Sequence, residues 1–527
     1  MLWADKILEK VEGIYKDKIT SGQPIVIRDE KTASGRVHVG SLRGVAIHGL
    51  LSEFLTEKNV VNKYYYEIND FDPMDGLPVY LDQEKFLPYM GKPLCNVPSP
   101  DGKAKNFAEY FGDEFVAVIQ SLGFEPEIYR SSDMYKAGKF NECIKLTLEN
   151  ASTIRDIYKR ISGSVKEGNW LPINVVCESC GKIGTTKATA FDGEKVTYTC
   201  GKIVAWADGC GHEGTVSPFD GNAKLPWKVE WAAKFKVMDV NIEGAGKDHS
   251  TKGGSRDIAD AISREVFKHE PPINVPYEFL QIAGKKMSSS KGLGSSSKEI
   301  SDLLPAHILR LLLLQKDPKQ VVEFIPDGDT VPILYDSYDK FAPHYFDYAD
   351  DDYSRLFRFI HAPELRDGLK KHLLPRFSQV AYLVQMPHVD IEKEIEKLEN
   401  VILTNDDREE LELRKKYAKI WLDTYAPEDY KFEVQETIPA RVSEFTPEQK
   451  AALGKVLEYV KSKETLDGQE LHTNLHEIRK TSGLEAKQFF APLYISFLNK
   501  DNGPKAGWFF SVLDKKFLEK RLSEVID

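Results

Sequence analysis

Residues 32–41 combine hydroxyl side chains, glycines and one histidine between a short apolar run and a helical pattern, and they read Thr32-Ala33-Ser34-Gly35-Arg36-Val37-His38-Val39-Gly40-Ser41. Glycine lets the backbone approach a ligand closely. The start of the following helix offers unpaired N–H groups and a partial positive charge, which suit nucleotide phosphates. We therefore predict a phosphate site here, with His38 donating to a phosphate oxygen. An ordinary strand-to-helix turn with a capping histidine is the alternative.

A second segment is cationic and rich in hydroxyl groups, and it reads Gly284-Lys285-Lys286-Met287-Ser288-Ser289-Ser290-Lys291-Gly292. A loop of this kind can close over a polyphosphate and add positive charge as the leaving group departs. A flexible linker of serine and glycine is the alternative interpretation.

A third segment is a glycine-rich turn, Gly244-Ala245-Gly246-Lys247-Asp248-His249, which follows a strand predicted over residues 231–240. Nucleotides bind at the carboxyl ends of strands in a doubly wound sheet. Asp248 would accept hydrogen bonds from ribose hydroxyls at such a turn. A tight connector that binds no ligand is equally compatible with these glycines.

The cysteines indicate a metal site, because four of the six are grouped: Cys177, Cys180, Cys200 and Cys210. Two pairs about twenty residues apart fit a zinc ribbon, in which thiolates close a tetrahedral site. The second pair encloses a longer loop than the first, and His212 is a rival ligand. Four protein ligands leave no open position, so we predict a structural Zn²⁺. Four free buried thiols are the alternative.

Composition limits the class of protein. The chain has 527 residues, more than one hydrophobic core supports, so we expect several domains. Its 71 Lys+Arg and 82 Asp+Glu leave a net charge of −11, which disfavours a polybasic nucleic-acid binder but permits binding through local clusters. The sequence has neither an apolar span of about 18 residues nor a secretory leader. We therefore expect a cytoplasmic protein without a membrane partner.

The elements that must position these segments can be predicted from the apolar patterns. Residues 24–27 and 60–68 are strand-like, and residues 40–55 between them are helical. Strands that alternate with helices predict an α/β fold with a parallel sheet. Beyond about residue 300 the pattern is helical, and Thr446-Pro447-Glu448-Gln449 predicts a capped helix start.

His38-Val39-Gly40-Ser41 and Lys286-Met287-Ser288-Ser289-Ser290 resemble the HIGH and KMSKS signatures of class I aminoacyl-tRNA synthetases, in the family's order. Two positions depart from these signatures. Ser41 stands where HIGH has its second histidine. Ser289 stands where KMSKS has its second lysine, and Lys291 follows two positions later. Further segments are similar to class I lysyl-tRNA synthetases in particular: Asp70-Phe71-Asp72-Pro73-Met74-Asp75, Tyr89-Met90-Gly91-Lys92-Pro93-Leu94, Leu225-Pro226-Trp227-Lys228-Val229-Glu230-Trp231, Gly246-Lys247-Asp248-His249 and Gly503-Pro504.

The resemblance implies a Rossmann-type doubly wound parallel sheet, an inserted domain that contains a zinc ribbon, and a C-terminal all-helical anticodon-binding domain. The expected domains are the first half of the catalytic domain at 1–85, an inserted acceptor-binding region at 86–224 with the zinc module at 172–214, the second catalytic half at 225–300, a connecting subdomain at 301–360 and the anticodon-binding domain at 361–527.

The resemblance also implies a ligase that makes lysyl-adenylate from lysine and ATP with Mg²⁺. It would transfer lysine to the terminal 2′-hydroxyl of tRNA(Lys), and activate lysine only with tRNA bound. Catalysis would fall to His38, Lys286 and Lys291, and Thr32, Trp227 and His249 would line the lysine pocket. The implied ATP-binding residues are Ser34, Gly35, His38, Gly40, Ser41, Gly246, Asp248, Lys286, Ser288 and Ser290. A monomer is favoured.

Selection of lysine needs a carboxylate, because an unpaired buried ammonium group is costly. The sequence offers four candidates without deciding among them: Glu30, Asp70, Asp72 and Glu243. Three other interpretations stay open. They are a class I synthetase for glutamate, arginine or cysteine, a small-molecule nucleotidyltransferase, and a non-catalytic tRNA-binding regulator.

Overall fold

The structure is a computed structural model that describes residues 2–282, 295–387 and 389–527. The four predicted site residues of the KMSKS-like segment lie outside the described residues: Lys286, Ser288, Ser290 and Lys291. The chain divides into two compact units. One comprises Met1–Phe324 and Phe341–Leu369, and the other comprises Ile325–Lys340 and Lys370–Asp527.

The strands of the described residues all lie in the first unit. In chain order they are β1 Ile25–Thr32, β2 Asn62–Asn69, β3 Glu127–Arg130, β4 Asn174–Val175, β5 Thr186–Phe191, β6 Val196–Cys200, β7 Glu213–Val216, β8 Ala223–Lys224, β9 Ile242–Gly246, β10 Ile273–Tyr277, β11 Leu280–Ile282 and β12 Val322–Phe324.

The largest sheet has five parallel strands in the order β10-β9-β1-β2-β3. Its two longest strands pair in register from Ile25 opposite Asn62 to Thr32 opposite Asn69. The chain builds outward from β1 through β2 to β3 and then returns to the other side of β1 with β9. The strand order therefore reverses between β1 and β9, and the carboxyl ends of strands at such a point form a crevice. The predicted doubly wound α/β sheet is confirmed.

Helices cover the sheet of the first unit and make up most of the second. In chain order they are α1 Trp3–Ile14, α2 Lys16–Thr20, α3 Leu42–Glu57, α4 Gln83–Phe86, α5 Phe107–Ser121, α6 Ser131–Lys136, α7 Asn141–Glu149, α8 Ala151–Ser162, α9 Trp227–Val237, α10 Lys247–Ser250, α11 Ser255–Glu265, α12 Ser297–Leu303, α13 Ala306–Leu314, α14 Thr330–Phe346, α15 Asp352–Ile360, α16 Phe377–Leu383, α17 Ile391–Glu399, α18 Asn405–Thr424, α19 Pro447–Ser462, α20 Gly468–Ser482, α21 Ala486–Leu498, α22 Ala506–Val512 and α23 Lys515–Ile526.

The strand predicted over residues 231–240 is wrong, because most of that segment belongs to helix α9. The helix is buried on nearly every side, so its sequence lacks the polar face that reveals an amphipathic helix. Two of its buried residues, Glu230 and Lys234, are four positions apart and form an ion pair with 3.2 Å between Oε2 and Nζ. The strand that precedes the glycine-rich turn is the short β9.

The helical unit contains the predicted capped helix start. The Thr446 hydroxyl accepts a hydrogen bond from the Gln449 N–H, and the Gln449 side chain accepts one from the Thr446 N–H, at 3.3 and 2.9 Å. Pro447 occupies the first position of α19. These reciprocal bonds satisfy two N–H groups that a helix start otherwise leaves unpaired. In the part of the chain that the structure describes, no helix is both long and apolar enough to span a membrane.

Candidate functional site

A cavity of about 320 Å³ lies where β1, β9 and β10 end, beside the point at which the strand order reverses. This is the position at which doubly wound sheets bind ligands. The cavity brings together residues of the HIGH-like segment, of the segment around Trp227 and of the glycine-rich turn after β9. The predicted residues that line it are Thr32, Ser34, His38, Gly40, Ser41, Trp227, Gly246 and His249.

Two predicted ATP-binding residues within the described chain do not line this cavity. Gly35 is buried in the loop after β1, and its φ of 152° favours glycine. Asp248 is exposed on α10, the short helix that follows β9. Both residues flank the cavity in the chain, so their assignment to ATP stays a prediction.

His38 stands at the N-terminal side of α3, the helix that follows the first signature segment. Its backbone is extended (φ −72°, ψ 151°), and a single 3₁₀ turn from Val39–Ser41 leads into the helix. The side chain is largely buried. Burial, together with the positive charge of Lys31, lowers the pKa of His38 to about 3. The imidazole is therefore neutral at physiological pH, and one ring nitrogen carries a hydrogen that can be donated to a ligand oxygen.

A close contact between α3 and β9 forms one wall of the site. The Gly244 N–H donates to Nε2 of His48 at 2.7 Å, and Nδ1 of the same ring lies 2.8 Å from the carbonyl oxygen of Gly44. A Cβ atom at position 244 would lie 2.4 Å from the carbonyl oxygen of Val275, closer than real Cβ contacts allow. The strand can pack this closely against its neighbours only because residue 244 is glycine.

Aromatic rings form a second wall. Trp227 and Trp231 lie one turn apart on α9 and stack with 5.6 Å between ring centroids and 18° between ring planes. The His249 ring meets Trp227 edge-on at 5.0 Å. These surfaces suit the aliphatic part of a ligand, whereas the indole N–H of Trp231 is used within the protein and donates to Glu243 Oε1 at 2.6 Å.

The four candidate carboxylates separate into two pairs. Glu30 and Glu243 line the cavity. Asp70 instead accepts hydrogen bonds from the backbone N–H and hydroxyl of Ser132, at 2.8 and 2.6 Å. Asp72 accepts one from the Thr32 hydroxyl at 2.7 Å. Neither Asp70 nor Asp72 is among the residues that line the cavity.

The cavity also contains residues that the sequence analysis missed. Asp29 lies near the end of β1, and Tyr277 ends β10, whereas Tyr66 lies within β2. Asp29 could have been suspected, because it is a carboxylate that follows the buried apolar run Ile25–Ile27 by two positions, and ligands bind near the carboxyl ends of such strands. The two tyrosines carry no comparable signal, because aromatic residues in strands usually belong to the core.

A buried charge cluster lies behind the cavity and is defined as Arg28, Glu30, Glu67, Asp72, Lys224, Glu230, Lys234 and Glu243. Arg28 is completely buried and contacts Glu243 at 2.7 Å and Glu67 at 2.5 Å. Lys234 contacts Glu30 at 2.7 Å. The cluster joins β1, β2, α9 and β9, so a charge removed at one member leaves others uncompensated in a medium of low polarity.

The grouped cysteines converge in a small module of the first unit. Strands β5, β6 and β7 form an antiparallel sheet, and the four Sγ atoms of Cys177, Cys180, Cys200 and Cys210 lie within 4.8 Å of one another. Cys177 and Cys210 are 3.7 Å apart, as are Cys180 and Cys200. Thiolates around a tetrahedral Zn²⁺ at about 2.3 Å would be separated by about 3.8 Å. The donor set and its spacing are therefore compatible with zinc.

His212, the rival ligand, is not a member of the one such ligand group found in the described residues. Its ring packs near Tyr198 with 6.0 Å between centroids. The long loop between the second pair of cysteines folds back tightly, since a Cβ at Gly209 would lie 2.5 Å from the Gly201 nitrogen.

Comparisons with known proteins agree with this arrangement. Residues 1–363 match the family model for class I tRNA synthetases (K), and residues 369–526 match the model for an anticodon binding domain. A lysine--tRNA ligase of Methanosarcina barkeri (strain Fusaro) is 31% identical, over 99% of this chain and 97% of its own length. A lysine--tRNA ligase of Methanocaldococcus jannaschii is 32% identical, over 99% of this chain and 99% of its own length. One of Archaeoglobus fulgidus is 31% identical, over 94% of this chain and 95% of its own length. The chain belongs to the class I (K) tRNA synthetase family.

Proposed function

We propose that the chain is a lysine--tRNA ligase. In the first step, a carboxylate oxygen of lysine attacks the α-phosphorus of ATP, and pyrophosphate leaves. In the second, the terminal 2′-hydroxyl of tRNA(Lys) attacks the carbonyl carbon of the adenylate, and AMP leaves. The observation that carries the proposal is the cavity at the ends of β1, β9 and β10. There the HIGH-like segment lies beside the aromatic wall and the buried carboxylates.

Activation of this kind needs little covalent chemistry from the protein, because orientation and charge stabilisation lower the barrier. We assign His38 to the phosphates as a neutral hydrogen-bond donor, with Lys286 and Lys291 on the pyrophosphate side. Mg²⁺ bound with ATP would supply further positive charge to the phosphates. The other proposed ATP-binding residues are Ser34, Gly35, Gly40, Ser41, Gly246, Asp248, Ser288 and Ser290.

The lysine pocket in this proposal is formed by Thr32, Trp227 and His249. The Thr32 hydroxyl donates to Asp72 and is thereby fixed in orientation. The stacked indole rings give the aliphatic part of lysine an apolar surface. We further propose that lysine is activated only after tRNA has bound.

The cysteine group would hold Zn²⁺ in this proposal. Four thiolates complete the coordination shell, so the ion would stabilise the fold of the small module and would have no position open to substrate. Zinc binding by such a module contributes directly to its folding free energy.

The domain boundaries, the location and the oligomeric state complete the proposal. We keep the domain boundaries predicted from the sequence, with the anticodon-binding domain at 361–527. We also keep a cytoplasmic location and a monomer. Within the second unit, Phe377 and Trp421 are completely buried in the core, so their rings offer no surface on which unpaired bases could stack.

The decisive experiment is aminoacylation of total tRNA with each of the twenty amino acids, using purified protein and ATP. We expect lysine alone to be attached, and only to tRNA(Lys). Pyrophosphate exchange with lysine should require added tRNA. Attachment of glutamate, arginine or cysteine would identify a class I enzyme of other specificity. Binding of tRNA without attachment of any amino acid would identify a non-catalytic regulator.

A further inference from the structure

We infer that Glu243 is the residue that recognises the ε-ammonium group of lysine, with Oε2 as the accepting atom. The inference rests on the proposed function and decides among the carboxylates that the sequence leaves open. It is carried by the two oxygens of Glu243, which have different surroundings at one end of the cavity.

The Oε1 atom of Glu243 is fully occupied. It accepts from Nη1 of Arg28 at 2.7 Å and from Nε1 of Trp231 at 2.6 Å. The Oε2 atom is buried and has no hydrogen-bond partner among the described residues, although the side chain is only 2% exposed. A buried carboxylate oxygen without a partner is costly, and Glu243 is one of the residues that line the cavity, so we expect a bound ligand to supply the missing partner.

The charge balance of the cluster points the same way. Its cations are Arg28, Lys224 and Lys234, and its anions are the five carboxylates of Glu30, Glu67, Asp72, Glu230 and Glu243. Within this set five carboxylates face three cations, and Arg256, whose charge also acts on Glu243, is itself paired with Asp260 at 2.7 Å. A single buried ammonium group from the substrate would reduce that excess at the place where the cluster faces the cavity.

Position along the aromatic wall supports the same residue. The indole N–H of Trp231 holds the Glu243 carboxylate, and the Trp231 ring stacks on Trp227. An aliphatic chain lying along these rings would bring its terminal group toward Glu243. The wall and the carboxylate together fit an unbranched chain that ends in a cation, which is the chemistry of lysine.

The other carboxylates in the cavity are less suited. Glu30 Oε2 already accepts from Lys234, and although burial opposes it, the charges of Lys234 and Arg28 lower the pKa of Glu30. Asp29 uses Oδ1 to accept from the Glu30 backbone N–H at 2.8 Å, and its Oδ2 lies 3.3 Å from Nδ1 of His48. By contrast, burial raises the pKa of Glu243, as expected for a carboxylate whose charge lacks full compensation.

The test compares lysine with 6-hydroxynorleucine, which carries a hydroxyl in place of the ε-ammonium. For the wild type, we expect kcat/KM for lysine to exceed that for the analogue by on the order of 100-fold or more. Glu243→Gln keeps an oxygen for Arg28 and Trp231 but removes the charge. It should reduce this ratio to a few-fold and leave the KM for ATP nearly unchanged.

Glu67→Gln is the matched control. Glu67 is completely buried in the same cluster and contacts Arg28 at 2.5 Å, but it does not line the cavity. This variant should be less stable and should keep the wild-type preference for lysine. A preference that survives in Glu243→Gln, or that is lost in Glu30→Gln or Asp29→Asn instead, would overturn the assignment. A wild type that attaches no lysine to tRNA would overturn the proposed function as well.

A crystal structure of the wild-type protein with lysine decides the question even if Glu243→Gln does not fold. We expect the lysine Nζ within hydrogen-bond distance of Glu243 Oε2. An Nζ bound to Glu30 or Asp29 and remote from Glu243 would show that another carboxylate selects the substrate.

Discussion

His38 and Ser296 form an isolated antiparallel β-bridge within the first unit. Two backbone hydrogen bonds flank it, from the Val39 N–H to the Ser295 carbonyl at 3.2 Å and from the Ser297 N–H to the Val37 carbonyl at 2.8 Å. The bridge joins the HIGH-like segment to residues 295–297, which come a few positions after the KMSKS-like segment in the chain. The HIGH-like segment and residues 295–297, which lie nearly half of the chain apart, are therefore held together.

Replacing His38 should impair activation of lysine. His38→Ala removes a neutral donor from the cavity, and loss of one such donor to a developing charge typically slows chemistry by about 100-fold. The measurement is tRNA-dependent pyrophosphate exchange at saturating ATP and lysine. His269→Ala is the control, because His269 lies in the same unit and does not line the cavity. An exchange rate in His38→Ala equal to that of the control would exclude His38 from the mechanism.

The pKa of His38 should also make stability depend on pH. Because its pKa falls to about 3 on folding, from an ordinary value near 6.5, the unfolded chain binds the proton more readily. Stability from this residue is fully present above pH 6.5 and is lost as the pH falls toward 3. Between pH 7.5 and 5.5 the wild type should lose up to about 1 kcal/mol more than His38→Gln in urea unfolding. Equal losses would contradict this account.

Metal analysis of the purified protein should find about one zinc per chain. Cys210→Ser should lower that content and make residues 172–214 sensitive to protease, because the tetrahedral site loses one of its thiolates. Cys95→Ser is the control, since Cys95 lies outside the group of four. Full zinc content in Cys210→Ser would show that the four cysteines are grouped for packing alone.

Lys286→Ala should slow formation of the adenylate more than it weakens binding of ATP. This prediction comes from the sequence, because Lys286 lies outside the described residues. A lysine that contacts the departing pyrophosphate acts mainly in the transition state, so kcat should fall by on the order of 100-fold with a small change in KM for ATP. Lys298→Ala, an exposed lysine paired with Asp302, serves as the control. A large rise in KM with an unchanged kcat would contradict loop closure during activation.

Local patterns explain how much of the fold could be predicted. Three predictions that depend only on neighbouring residues are confirmed. They are the strand that contains Ile25–Ile27, the helix α3 and the capping box at Thr446. The sequence predicts a strand where helix α9 lies, because α9 is buried on nearly every side. Its sequence therefore lacks the hydrophobic period of 3.6 residues that distinguishes a helix from a strand.

The sequence by itself determined the family resemblance, the doubly wound sheet and the four grouped cysteines. Motifs, apolar patterns and cysteine spacings can all be read along the chain. Only the tertiary structure separated Glu243 from Asp70 and Asp72, and only it revealed Asp29 and Tyr277 in the cavity. The reason is physical. The role of a carboxylate depends on the partners that each oxygen meets, and Arg28 meets Glu243 across 215 residues of chain because β1 and β9 are neighbours in the sheet.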